Sequence, residues 1–140
     1  MLLFVDTEFA DVGAQELVSL ALVSETGDLE FYAERDPLPS APTEFVRSVV
    51  YPLLNRGERA LTDEQFTREL KAFLARVIAA SGRDPISVAY DFRGDIHLVD
   101  HVLDGFTSPP AMTRPDFEVV DLGLLGGDAG PSRPSLRKTQ

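Results

Sequence analysis

The sequence predicts a single α/β domain built on a mixed five-stranded sheet flanked by helices. Three observations carry that expectation. The chain opens with three apolar strand patterns separated only by turns. Two further strand patterns follow, each preceded by a segment of helical periodicity. The length, 140 residues, is that of one core. Strands joined by tight turns pair antiparallel, whereas strands joined through helices pair parallel, so the order β-β-β-α-α-β-α-β needs a sheet of both kinds.

Each element has its own signal. Leu2 to Glu8 is an apolar run ending in Asp-Thr-Glu, a strand. Glu16 to Val23 is a second strand. Strict alternation puts Leu17, Ser19, Ala21 and Val23 on one face and Val18, Leu20 and Leu22 on the other, so both faces should be covered. Thr26-Gly27-Asp28 supplies turn chemistry. Leu29 to Glu34 alternates more clearly, as an edge strand does, and completes an antiparallel meander. After a proline-rich connection from Asp36 to Pro42, Thr43 has the place of an N-cap, and Phe45, Val46, Val49, Val50 and Leu53 follow at helical spacing. Thr62 and Gln65 form a T-x-x-Q capping box. They open an amphipathic helix from Asp63 to Ala80 that turns Phe66, Leu70, Phe73, Leu74, Val77 and Ile78 inward. Ile86 to Tyr90 is the fourth strand, Asp91 to Gly94 a turn, Asp95 to Leu103 a helix, and Phe117 to Leu122 the fifth strand. The domain is expected to span residues 1–125. Residues 126–140, rich in Gly, Pro and Ser and without an acid after Asp128, read as a flexible basic tail.

Composition removes several function classes. The chain has no cysteine, which excludes disulfide frameworks, thiolate zinc sites and cysteine nucleophiles. No apolar run reaches the ~18 residues of a membrane-spanning helix, so no membrane association is expected. The opening MLLFVDTEF has no basic stretch and meets two acids by its eighth residue, unlike a secretory signal; a cytoplasmic location is expected. The net charge of −10 opposes passive binding of a polyanion by a basic face. It does not oppose an enzyme whose acids hold divalent cations, because the metal then meets the phosphate.

Two acidic groups stand out. Asp6 and Glu8 lie two residues apart at the carboxyl end of an apolar strand, so both leave the same face. Adjacent carboxylates raise each other's pKa unless cations occupy the site, and Mg²⁺ takes one or two carboxylates together with substrate phosphates. Asp91 ends the fourth strand and Asp95 opens the next helix. In a parallel arrangement that strand end lies beside the end of the first, where open sheets bind ligands, and Asp95 could complete a three-carboxylate cage. An ordinary first-turn acid favoured by the helix dipole accounts for Asp95 equally well. His97 and His101 share a helical face at a spacing that can bind zinc. His97, however, lies ~200° around the helix from Asp95 and no third ligand is in sight, so half-buried or solvent-facing histidines are expected. No phosphate-binding glycine loop and no G-x-S-x-G motif is present.

F-V-D-T-E-F, then Q-E-L-V-S-L-A-L-V-S-E-T-G, then V-A-Y-D-F-R-G-D resembles the DEDD superfamily of 3′–5′ exonucleases. The nearest branch is the small mycobacterial-type 3′–5′ exoribonucleases, of ribonuclease H-like fold, over residues 1 to 122. The resemblance implies metal-dependent hydrolysis of terminal phosphodiesters, releasing nucleoside monophosphates from RNA 3′ ends and from DNA ends as a further class. It also implies two Mg²⁺ or Mn²⁺ ions about 4 Å apart. Asp6 would bridge both ions, Glu8 would hold one and Asp95 the other. Thr7 and Asp91 would flank the substrate, and Phe9 and Phe92 are candidates to stack on the terminal base. The family's third motif, a His followed five residues later by an Asp on a C-terminal helix, has no counterpart: no His follows Leu122. Loss of a general base alone costs ~10²–10⁴ in rate, so impaired hydrolysis is expected.

Two other readings remain open on the sequence: a catalytically inactive module of the same fold that binds RNA ends or a protein, and an unrelated α/β domain with coincidental acids. Without a covering C-terminal helix, part of the sheet would expose apolar surface, which favours a homodimer.

Overall fold

A computed structural model describes residues 1–107, 118–121 and 137–139. Its strands are β1 (Leu2–Phe9), β2 (Leu17–Ser24), β3 (Glu30–Arg35), β4 (Ala60–Leu61), β5 (Ser87–Tyr90), β6 (Glu118–Asp121) and β7 (Arg137–Thr139); its long helices are α1 (Asp63–Ser81) and α2 (Arg93–Leu103). The strands form one sheet in the order β4-β3-β2-β1-β5-β6-β7. The central five are those the sequence predicts. β1, β2 and β3 pair antiparallel, and β1, β5 and β6 pair parallel. This is the mixed, helix-flanked arrangement of the ribonuclease H-like class.

The two added strands lie at the margins. β4 pairs parallel with the end of β3, so β3 is not the sheet edge its alternation suggested. β7 pairs antiparallel with β6, so part of the segment read as a tail is strand. The rest of that segment, and residues 108–117 and 122–125, which include the expected strand ends Phe117 and Leu122, lie outside the described residues.

One face of the sheet is covered by α1 and α2. Phe66, Leu70, Phe73 and Val77 of α1 and Ile96, Val99 and Val102 of α2 pack on Leu3, Val5, Leu20, Leu22 and Ala33 in one buried cluster. Burying each large side chain contributes roughly 1.5–3 kcal/mol. The capping box opens α1 as expected: the Gln65 N–H donates to Thr62 Oγ1 at 3.2 Å and the Thr62 N–H to Gln65 Oε1 at 3.0 Å. α2 starts at Arg93, two residues before the expected boundary.

The face assignment of β2 differs from strict alternation. The β1–β2 register slips between Glu8 and Phe9, where Glu8 pairs Ser19 but Phe9 pairs Leu17. Val18 is therefore an extra, bulged residue. Leu17 joins the main core, while Val18 joins a second cluster with Ala10 and Val46. That second cluster seats the segment following Thr43. The Val46 N–H donates to Thr43 Oγ1 at 3.3 Å, as the capping expectation requires. The coil is nevertheless wide over Val46–Val50 and tight over Tyr51–Leu53. Pro52 has no N–H to continue a regular helix and its ring opposes one.

Candidate active site

β1 alternates cleanly. Leu3, Val5 and Thr7 are buried, while Phe4, Asp6 and Glu8 are exposed on the other face. Asp6 stands opposite Ala21, and Ala21 opposite Tyr32; Glu8 stands opposite Ser19 beside the bulge. Bulges cluster next to functional sites because they re-aim side chains at a strand end.

These side chains line a cavity of about 350 Å³. Asp6 and Glu8 form its acidic end, and Ser19 and Tyr32 the polar part of its floor. The coiled segment after Thr43 supplies an apolar wall of Phe45, Val49 and Leu53. All three are exposed, Phe45 at 64% and Leu53 at 77%, an unusual placement for side chains of that size.

The wall is pinned at its far end by a buried carboxylate. Glu34, with no solvent exposure, accepts the Tyr32 hydroxyl at 2.5 Å, the N–H groups of Asn55 and Arg56 at 2.6 and 2.7 Å, and the Arg56 guanidinium at 3.4 Å. Burial alone would raise its pKa, but these donors and the Arg56 charge outweigh it and hold the carboxyl below the usual range. The same contacts keep Arg56 at a φ of 52°, in the left-handed region that disfavours non-glycine residues.

The second acidic group approaches from α2. Asp95, in the first turn, is 2% exposed. It accepts the Thr7 hydroxyl at its Oδ1 at 2.6 Å, while its Oδ2 is buried without a partner. Burial raises its pKa to about 6; the Thr7 bond opposes this, and the charges of Asp6 and Asp91 add to it. Partial burial and Asp91 likewise raise Asp6, and partial burial and Asp6 raise Glu8. Asp6, Glu8 and Asp95 are thus each ionised at a cost, to which the charge of Asp91 adds at Asp6 and Asp95 and that of Asp6 at Glu8 and Asp95. Among the described residues, no three His, Asp or Glu side chains gather closely enough to hold a metal ion as they stand. Asp95 meets β1 through Thr7, on the helix-covered side, whereas Asp6 and Glu8 leave the other face.

Phe9 and Phe92 stack on each other, with ring centroids 5.5 Å apart and planes 29° apart. Phe92 stands at the N-cap of α2, where it makes no side-chain capping bond. Ser, Thr, Asp or Asn is favoured there. The ring ties the start of α2 to the end of β1 instead. It also explains Gly94: a Cβ there would lie 2.3 Å from the Phe92 ring. His97 and His101 are half-buried. Burial, with Arg93 nearby, lowers the His97 pKa, and His101 packs edge-on against Phe106 at 5.2 Å.

Sequence reasoning missed Ser19, Tyr32 and the exposed wall. The available signal was Ser19 within an otherwise apolar strand, and Phe45, Val49 and Leu53 at four-residue spacing. Their common cavity depends on pairings between segments distant in the chain. No protein-family model matches this chain, and no curated protein does. No described helix is long and apolar enough to cross a membrane.

Proposed function

We propose that the protein is a divalent-metal-dependent nuclease that removes nucleotides from the 3′ end of single-stranded RNA. The observation that supports this best is Asp95. A buried carboxylate with one oxygen unpartnered, its pKa raised by burial and further by two acids, is costly to keep. Groups perturbed in this way concentrate at functional sites. Oxygen donors of this type suit Mg²⁺ or Mn²⁺, so the donor chemistry fits the ion. Asp6 and Glu8 would hold it from the exposed face of β1, and Asp95 would join them through Oδ2 after turning toward that face, since the three do not converge as they stand. When bound, the ion supplies positive charge that stabilises the phosphoryl oxygens and lowers the pKa of water.

The chain's own residues divide the remaining work. Thr7 fixes the rotamer of Asp95 by occupying Oδ1, which leaves Oδ2 free. The Phe9–Phe92 stack holds the two acid-bearing elements in register. The apolar wall of Phe45, Val49 and Leu53 gives a nucleobase surface to displace water, beside carboxylates that only a cation makes attractive to phosphate. With no histidine beyond His101, the proton of the attacking water has no imidazole acceptor of the third-motif kind, and slow turnover is expected.

A second reading is a module that binds RNA ends without cleaving them, favoured by the acids not converging on a metal site as they stand. One experiment separates the two: 5′-labelled single-stranded RNA and DNA are incubated with the protein in Mg²⁺ or Mn²⁺. Stepwise shortening of the labelled strand from its 3′ end, lost in Asp6→Asn, supports the nuclease. Metal-dependent binding with no product supports the module. Neither binding nor cleavage under any divalent ion overturns both.

A further inference from the structure

The cavity floor carries a group whose hydrogen-bonding role is fixed. Tyr32 lies in register with Ala21 and Asp6 across three strands, and it lines the cavity that Asp6 and Glu8 close at one end. Its hydroxyl proton is committed to Glu34 at 2.5 Å. Glu34 is fully buried and fastened by three further donor contacts, so that direction does not reverse. Burial and the Glu34 carboxylate both raise the Tyr32 pKa, so the phenol keeps its proton. Ser19, the other polar floor residue, hydrogen-bonds Tyr32 in the sense that lowers its pKa, so the phenol oxygen accepts from Ser19 while donating to Glu34. A phenol whose single proton is spent presents only its remaining lone-pair density to a ligand. A donor on the ligand gains a bond there, whereas an acceptor at the same place meets another acceptor, and the bond it made in water is lost.

We propose that Tyr32 determines which nucleotides the cavity holds, by accepting a hydrogen bond from the terminal nucleoside, from either an exocyclic base amine or the ribose 2′-hydroxyl. The adjoining wall of Phe45, Val49 and Leu53 supplies apolar contact for any base and cannot itself discriminate. Tyr32 is thus the specificity-determining group of the cavity. This inference rests on the nucleotide-hydrolysing reading above.

The test is calorimetric titration of the full chain, in Mn²⁺, with CMP, UMP and dCMP. CMP carries an amine where UMP carries a carbonyl, and dCMP lacks the 2′-hydroxyl. In the unaltered protein, CMP is expected to bind about tenfold more tightly than one of the other two, the difference of one hydrogen bond. Tyr32→Phe is expected to reduce that ratio to within about twofold, leaving the weaker nucleotide's affinity unchanged. The Asn55 and Arg56 donors to Glu34 remain in this variant, and an unchanged near-ultraviolet circular dichroism spectrum confirms its fold. Equal binding of all three nucleotides by the unaltered protein overturns the inference but not the nucleotide reading. So does a ratio that survives Tyr32→Phe, or a parallel loss for all three, which is the mark of a changed cavity shape. Binding of none overturns both.

Discussion

Thr7 donates its hydroxyl to Asp95 Oδ1 at 2.6 Å, across 88 residues of chain. The bond joins the buried face of β1 to the first turn of α2, and it is the direct polar link between the two acid-bearing elements. It leaves the other Asp95 oxygen without a protein partner.

Removing that hydroxyl should therefore expose the cost of Asp95. Thr7→Val preserves shape and removes the side-chain donor to the carboxylate, leaving only the backbone of residue 7. The expected loss is about 1–3 kcal/mol at pH 7 to 8, measured by urea unfolding. At pH 4 the loss should shrink, because a protonated Asp95 needs its acceptor bond less. An equal loss at both pH values would show that the bond matters only as packing.

Asp95→Asn should act in the opposite direction on stability. The folded-state pKa of Asp95 is about 6, against an unfolded value of 3.8. The folded protein thus holds that proton more tightly. The charged form costs stability above pH 6, and the cost disappears as pH falls below the unfolded value. Asparagine removes it, so Asp95→Asn should gain about 1–3 kcal/mol at pH 7 to 8 and nothing at pH 3. On the proposed function the same variant loses the rise in Tm that Mn²⁺ gives the unaltered protein. Thermal unfolding at two pH values, with and without Mn²⁺, reads both effects.

Glu34 has the reverse sign. Its carboxyl is held below the usual range, so its contribution is present above the unfolded pKa of about 4.5 and is lost as pH falls through the folded value. Glu34→Ala leaves the Tyr32 hydroxyl and the Asn55 and Arg56 N–H groups without this acceptor, while the Arg56 guanidinium keeps Arg35 O and Asp36; the expected loss is about 1–3 kcal/mol near neutrality. The wall end at Leu54 to Arg56 should loosen first. Hydrogen exchange at the Asn55 and Arg56 amides checks this, and unchanged protection there would sink it.

Gly94→Ala tests the junction of β1 and α2. The new Cβ would meet the Phe92 ring at 2.3 Å, so the ring must leave its stack on Phe9. Alanine otherwise favours a helix by ~1 kcal/mol over glycine, so a net loss of stability measures the stack. A net gain in denaturant midpoint would show that Phe92 moves freely and positions nothing.

The paired acids at Asp6 and Glu8, the capping box at Thr62 and Gln65, and the inward face of α1 were legible in the sequence, except that Ile78, expected inward, is 53% exposed near the helix end. Each is a local pattern whose meaning is set within one strand or one turn. The mixed sheet was legible for a related reason: connection length dictates whether neighbouring strands run parallel or antiparallel. The faces of β2 were not, because the bulge at Val18 arises from pairing with β1 and shifts every residue before it. The wide coil at Val46–Val50 was equally hidden, since Pro52 and the second core act on it together.

Sequence alone determined which groups are present: two carboxylates on one face near a strand end, a further pair four residues apart before and within α2, and no thiol. Tertiary structure decided how those carboxylates are disposed. It turned Asp95 toward Thr7, stacked Phe9 on Phe92, and made one cavity from Asp6, Tyr32 and Phe45. The division is physical. Side-chain identity fixes charge and proton affinity in water, but the burial and neighbouring acids that raise Asp95, and the hydrogen-bond donors that lower Glu34, exist only once distant segments have packed.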